Sequence, residues 1–452
     1  MLEWLTSINN FVWGPCMLVL LFGTGLYLTV GLRFFTIRNF VRGLRHAWAG
    51  RRPNSEKGEI SPFNALMTAL AGDIGTGNIV GVATAIYTGG PGALFWMWMT
   101  ALVGMATKFS EVLLAVHFRE RTPAGNWVGG AMFFIKNGLG ARWMWLGSAF
   151  ALFGIVACIG TGAMVQSNAI GGVLEASFGV PPLVSAVVLL VISGVVLLGG
   201  VKRIAGVAGK IVPVMALCYA AMSLVVIILH IGEVPAIFGM VLREAFSPSA
   251  AQGGAAGASV MLAIRMGMAR GIFSNEAGLG TAPMAHAAAS TSSPMTQATI
   301  GMLDTFIDTI VVCSLTAFAL LLTGEWTDGM QGAAMTSAAF ESVLPGIGSI
   351  MVAVCLSLFA FTTAMSWCVY GERCAIYFFC DKAQLPFRIV YCLAIPVGIL
   401  TQLNLVWLLA DTCNALMAIP NLIAILLLSP VLFRLVRQEE ARFRAECRSD
   451  ER

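Results

Sequence analysis

Charge is the scarcest property of this chain. Asp, Glu, Lys and Arg together make up 11% of its 452 residues, less than half the roughly 25% of an ordinary soluble domain, and that alone excludes one. The net charge is only +4, with no long basic face, so nucleic acid is not an expected partner. Metal and disulfide frameworks are missing too. The 11 cysteines are scattered without a CxxC pair, and His46, His117, His230 and His286 lie near the ends of apolar runs at no ligand spacing. These are read as small buried apolar residues and interfacial imidazoles. The 23 methionines form no cluster suited to a soft metal such as copper. No P-loop is present, which argues against a nucleotide-driven pump. No nucleophile, base or metal constellation suggests an enzyme. Before Arg33 there is no positive charge at all, so a cleaved signal peptide is not expected and the first apolar run should remain as a helix.

What is present is apolar surface in long runs. Hydrophobic residues make up 58% of the chain and the mean hydropathy is +0.83. Runs of about 18 or more apolar residues read as membrane spans. They fall at 11–31, 62–87, 92–117, 145–167, 182–199, 207–230, 255–286, 298–322, 349–377, 388–401 and 405–435. That is about eleven transmembrane helices in an all-α membrane protein, the tenth being short. Nearly all of the 27 Lys and Arg residues fall in loops on one side, which marks that side as cytoplasmic. The expected topology is a multi-pass plasma (inner) membrane protein with its N-terminus outside and C-terminus inside.

Two spans carry glycine-rich polar breaks. One is Ala71-Gly72-Asp73-Ile74-Gly75-Thr76-Gly77-Asn78, the other Gly271-Ile272-Phe273-Ser274-Asn275-Glu276-Ala277-Gly278-Leu279-Gly280-Thr281. Both contain an acidic residue followed by Gly-x-Gly, and five span starts separate them, so they begin on opposite sides. This pattern predicts a five-plus-five inverted repeat preceded by one extra helix. The expected divisions are 1–60 for the extra helix and basic segment, 61–234 for the first repeat and 235–254 for an external connector. The second repeat takes 255–435 and the cytoplasmic tail 436–452.

Glycine at mid-membrane lets a helix unwind and frees backbone groups that lipid cannot satisfy. Such backbone survives where it lines an enclosed cavity. Freed N–H groups suit a carboxylate and freed carbonyls a hard cation such as Na⁺, so a site offering both fits an amino-acid zwitterion.

The stretches GDIGTGNIVGVATAIYTGGPGALFWMWMTALVGMATKFSE and RGIFSNEAGLGTAPMAHAAA resemble the alanine or glycine:cation symporter family, and the resemblance covers almost the whole chain. It implies a leucine-transporter-like fold and secondary active import of alanine or glycine coupled to Na⁺, or in some members H⁺. No cofactor is implied beyond the coupling ion. The partners would be the substrate, Na⁺ and the bilayer, with a monomer as the expected form. By the same resemblance, the substrate carboxylate would meet the amides around Thr76, Gly77 and Asn78. Its amino group would meet acceptors around Phe273, Ser274 and Thr363, with Asp73, Asn275 and Glu276 in the same two breaks. Gln166 and Trp367 would line the pocket, Trp367 limiting side-chain size. The cation would lie between the carbonyls of Ala71 and Ile74 and the hydroxyls of Thr362, Thr363 and Ser366.

The remaining intramembrane charges give further expectations. Asp304 and Asp308, four apart, share a helix face and are a candidate proton or cation relay, or else tie helices together. Lys108 and Glu111, three apart, read as a structural pair with a snorkelling lysine. Arg265 or Arg270 would pair with Asp411 as a thin outer gate.

Overall fold

A computed structural model describes residues 2–52, 56–246, 260–401 and 404–450. The start of the expected seventh span and the end of the connector, within 247–259, lie outside the described residues. The described chain is helical almost throughout. In order it forms α1 (Leu2–Val12), α2 (Pro15–Gly31), α3 (Phe35–Arg38), α4 (Phe40–Ala49), α5 (Pro62–Asp73), α6 (Val82–Gly89), α7 (Gly92–His117), α8 (Ala131–Phe134), α9 (Met144–Ala157), α10 (Gln166–Phe178) and α11 (Pro182–Leu197). There follow α12 (Gly200–Leu229), α13 (Val234–Glu244), α14 (Val260–Asn275), α15 (Ala282–His286), α16 (Pro294–Thr305), α17 (Ser314–Thr323), α18 (Gly332–Val343), α19 (Gly348–Phe379), α20 (Gln384–Leu400) and α21 (Asn404–Asp450). One two-stranded hairpin pairs Glu120–Arg121 with Trp127–Val128.

Among the described residues, six helical runs are long and apolar enough to cross a bilayer, and α5 with α6 makes a seventh if the bent pair is one span. One of the six, Gly348–Leu400, is 53 residues long and turns at Cys380–Ala383 between α19 and α20. The helices α2 and α11 are apolar but shorter. The outer faces are greasy: Val187, Val191 and Val195 of α11 are all more than half exposed, as expected where lipid rather than water is the neighbour. The polar groups instead lie inside, where α7 buries Lys108, Ser110 and Glu111 completely.

Local sequence explains where the core helices start. Ser61 caps α5 by accepting the Asn64 amide at 3.1 Å, with Pro62 in the first turn. Ser293 and Pro294 do the same for α16, the Ser293 hydroxyl accepting the Thr296 amide at 3.1 Å. Such caps satisfy an amide that a helix start would leave bare.

The first expected break is where the sequence places it. Helix α5 stops at Asp73 and the chain resumes in a π-helical turn, Gly77–Gly81, before α6, with a 49° bend. The second follows α14: Glu276, Gly278 and Gly280 all take left-handed φ, at +53°, +96° and +79°, a conformation that favours glycine. Two more π-helical stretches, Cys158–Val165 between α9 and α10 and Phe306–Cys313 between α16 and α17, face the same centre. π-bulges concentrate at functional sites.

Candidate functional site

The two breaks meet. A side chain at Gly77 would touch Ser274 Cα at 3.3 Å and the Phe273 ring at 3.5 Å, so the broken helices approach backbone to backbone. Beside them lies a cavity of about 20 Å³ bounded by Asp73, Thr76, Gly77, Gln166, Phe273 and Trp367, with Glu276 and Thr363 also at its wall. The space exceeds only slightly the ~10–15 Å³ that one water needs, so in this shape it admits about one water and must widen to take anything larger.

The wall offers donors and acceptors separately. Thr76 and Gly77 open the second half-helix, where the first amides have no intrahelical acceptor. Asp73 Oδ1 and Gln166 Oε1 are buried acceptors without a hydrogen-bond partner. Two wall residues escaped the sequence reading: Thr161 and Asn414. Asn414 Nδ2 donates to Thr161 Oγ1 at 3.1 Å while its own Oδ1 stays unpartnered. Thr161 sits in a Gly160-Thr161-Gly162 run that resembles the breaks and could have flagged it. Trp367 donates its indole N–H to Glu276 Oε1 at 2.8 Å, and Thr281 donates to the other oxygen of the same carboxylate.

The unwinding at Gly75 has a specific cause. The last regular bond of α5 runs from the Ile74 amide to Leu70 O at 2.8 Å; the next amide, Gly75 N, donates instead to Asn78 Oδ1 at 2.8 Å. The Ala71 carbonyl therefore loses the donor a continuing helix would supply. Thr363 Oγ1 lies 3.4 Å from the Ile74 carbonyl and 3.0 Å from Phe359 O. A β-carbon on Gly75 would come within 2.4 Å of that hydroxyl.

Several expected contacts are turned elsewhere. The Asn78 amide, expected to meet the substrate carboxylate, donates to Gly75 O at 3.3 Å, and the side chains of Asn78, Ser274 and Asn275 are not presented to the cavity. Asn78 Nδ2 donates to Asp308 Oδ1 at 2.6 Å, Ser274 Oγ to the same oxygen at 3.1 Å, and Asn275 Nδ2 to Thr309 Oγ1 at 3.0 Å. They bind the two breaks to the middle of the Phe306–Cys313 turn. Thr362 faces away, its hydroxyl bonded to Phe359 O at 2.9 Å and set against Met215 Sδ at 3.5 Å; its neighbour Thr363 takes the inward side, as adjacent helical residues must diverge. Ser366 donates to Thr68 O at 2.6 Å, one turn below the break.

The intramembrane charges also pair differently from expectation. Lys108 does not snorkel and does not pair with Glu111. It is fully buried, with Nζ 3.2 Å from Asp73 Oδ2 and 3.2 Å from Asp304 Oδ2. Glu111 Oε1 instead accepts from Asn421 Nδ2 at 2.6 Å and from the Gly278 amide at 3.1 Å, holding the second break open. Asp304 and Asp308 share a face but serve different partners, Lys108 for one and the Asn78 and Ser274 side chains for the other. His286 is not interfacial either; it is fully buried and bonds Gln297 at 2.7 Å.

On the face opposite the basic loops, a vestibule of about 350 Å³ is lined by Asn9, Arg265, Arg270, Phe273 and Asp411. Phe273 borders both this vestibule and the central cavity, and so separates them. The Arg270 guanidinium lies 5.9 Å from its ring centre. Neither arginine forms an ion pair with Asp411 among the described residues; Asp411 Oδ2 accepts from Asn9 Nδ2 at 3.0 Å. Helix α1 therefore occupies the partner position that was expected for an arginine.

Outside the spans, Asp381 gathers Thr122, Asn126 and the Ala124 amide at 2.8, 3.0 and 3.0 Å. Slight burial opposes ionisation, but these donors and Gln384 outweigh it and hold the carboxyl below its usual range.

The same architecture is found in solved transporters. A crystal structure of MhsT in complex with L-phenylalanine superimposes with a TM-score of 0.52 at 13% identity, covering 85% of this chain and 99% of that one. A likeness at that identity speaks for the fold, which is leucine-transporter-like. Sequence relatives are much nearer. The sodium/alanine symporter AgcS of Methanococcus maripaludis is 44% identical over 96% of this chain and 98% of its own. An uncharacterized transporter of Haemophilus influenzae is 49% identical over 95% and 94%. The family model described as the sodium:alanine symporter family matches residues 1–451. This chain, a multi-pass membrane transporter and not an enzyme, belongs to the sodium:alanine symporter family.

Proposed function

We propose that this symporter imports alanine or glycine with Na⁺ by alternating access around the central cavity. The observation that carries the reading is the sorting of unpaired groups around one small space. Thr76 and Gly77, at the start of a half-helix, and buried unpartnered acceptors on Asp73, Gln166 and Asn414 all border it. A zwitterion satisfies both sets at once, where a purely anionic or cationic ligand would leave one bare. Trp367 and Phe273 bound the room left for a side chain. The glycine at position 77 leaves space between the half-helices that a larger residue would fill.

The coupling Na⁺ would take the Ala71 carbonyl that the Gly75–Asn78 bond sets free, the Ile74 carbonyl and the Thr363 hydroxyl. These are oxygens only, as a hard cation requires. Thr362 and Ser366, otherwise engaged, are not needed in that set. One positive charge moving inward gains about 2.3 kcal/mol per 100 mV of membrane potential, enough to concentrate a neutral substrate.

In this reading the vestibule is the external entrance, with the N-terminus outside, the C-terminus inside and the basic loops cytoplasmic. The first repeat spans 61–234 and the second 255–435. The central cavity is shut from the vestibule by Phe273, and closure of the outer gate would bring Arg270 or Arg265 onto Asp411, displacing Asn9. The Asp411→Asn substitution should then slow uptake while leaving Na⁺-dependent alanine binding intact; unchanged kinetics would contradict the gate. The binding site itself is tested by Gly77→Leu. Labelled alanine should bind the purified wild-type protein only with Na⁺ present and should not bind the variant, whereas retained binding would place the site elsewhere.

A further inference from the structure

A further cavity, sharing no wall residue with the central cavity or the vestibule, lies on the outer surface of the helix bundle toward the basic face. It has a volume of about 330 Å³ and is walled by Trp48 at the end of α4 and Arg51 just after it, by Phe63 and Leu70 of α5 and Ile74 at its end, and by Ala216 on α12. Apart from Arg51 its named walls are apolar. From Phe63 to Ile74 the groove follows α5 for eleven residues, about 16 Å at 1.5 Å per residue. That is the depth of one leaflet of a bilayer core about 30 Å thick.

The polar end is as distinctive as the apolar one. The Arg51 guanidinium sits 3.9 Å from the ring centre of Trp48 and 4.7 Å from that of Phe63, and no carboxylate pairs with it among the described residues. Both Arg51 and the adjacent Arg52 are exposed. Lys210 is exposed on α12, three residues before the groove residue Pro213 and hence on a neighbouring surface position. Trp48 is 70% exposed, an aromatic placed at headgroup level where such rings anchor. A positive mouth above a leaflet-deep apolar slot has the charge and shape of one ligand class.

We propose that this groove binds an anionic diacyl phospholipid, one acyl chain lying along α5 and the phosphate at Arg51. Basic pockets between transmembrane helices on the cytoplasmic side recognise such headgroups. The chain end would rest against Ile74, directly behind the first break, so the lipid braces the half-helix that carries the proposed cation site. The lipid site itself does not depend on the substrate reading.

Trp48 supplies the probe. The full-length protein is reconstituted in phosphatidylcholine vesicles holding an equal fraction of either brominated phosphatidylglycerol or brominated phosphatidylcholine. Subtracting the Trp48→Phe signal isolates quenching at Trp48. The expected result is about fivefold enrichment of the anionic lipid, the size of effect one basic side chain gives near a surface. The enrichment should disappear in Arg51→Gln and in Ala216→Phe, which fills the slot, and persist in Lys202→Gln, away from it. Equal quenching by the two lipids, or enrichment that survives both groove variants, would overturn the proposal. Neither outcome bears on whether the protein moves alanine.

Discussion

Trp367 and Glu276 are joined by a 2.8 Å hydrogen bond across the central cavity, linking α19 to the second break. The bond fixes the indole against the space where a substrate side chain would project. The Trp367→Ala substitution should therefore admit larger amino acids. Uptake of leucine relative to alanine should rise by tenfold or more, the scale on which apolar pockets discriminate per methylene. The Trp367→Phe substitution keeps most of the bulk and should shift the ratio much less. Competition of unlabelled amino acids against labelled alanine measures both.

Gly75 faces Thr363 so closely that a β-carbon would sit 2.4 Å from its hydroxyl. In Gly75→Ala the hydroxyl must move away from the Ile74 carbonyl. The Na⁺ concentration for half-maximal uptake should rise about tenfold, equivalent to about 1.4 kcal/mol, with a smaller change in the alanine concentration needed. A Na⁺ titration at fixed alanine distinguishes the two.

Among the described residues Lys108 is the one basic partner of Asp73 and Asp304, and all three side chains are fully buried. Removing one member of such a group leaves buried charge uncompensated, at a cost of about 3–5 kcal/mol. The Lys108→Met protein should melt well below the wild type. The double variant Lys108→Met with Asp304→Asn should recover part of the loss, because one uncompensated carboxylate is removed. Melting in detergent, followed by intrinsic fluorescence, reads the difference.

Asp381 contributes stability only while ionised. Its folded-state pKa is depressed below the usual value of 3.8, so the contribution is full above that value and is lost as pH falls through the folded pKa. The Asp381→Asn variant should melt below the wild type at pH 7, and the gap should close on acidification below about pH 4. A pH series of melting temperatures checks the sign.

Much of this was legible in the sequence because membrane helices follow composition. The spans came from apolar runs, and both breaks from Gly-x-Gly beside an acid. Gly77, Phe273, Gln166 and Trp367 do border one cavity. What the sequence hid were partnerships across long separations. Lys108 finds Asp73 35 residues back and Asp304 far ahead, while Glu111, its expected helical neighbour, reaches Asn421 310 residues away. A short spacing on one helix gave the wrong partner because burial favours whichever counter-charge the fold brings close. Likewise Asn78, Ser274 and Asn275 lie in the right breaks but face Asp308 and Thr309. Adjacent helical positions point in different directions, and only the packing of the Phe306–Cys313 turn decides which of them meets the cavity. Asn9 on Asp411 was hidden for the same reason, its partner lying at the other end of the chain.

The central claim is coupled transport of a small zwitterion, and uptake of labelled alanine by the purified protein in liposomes tests it most directly. With an inward Na⁺ gradient and an inside-negative potential, alanine should accumulate above its external concentration, and unlabelled glycine should compete. An H⁺ gradient alone should not replace Na⁺. If neither alanine nor glycine enters faster with the Na⁺ gradient than without it, the account is wrong.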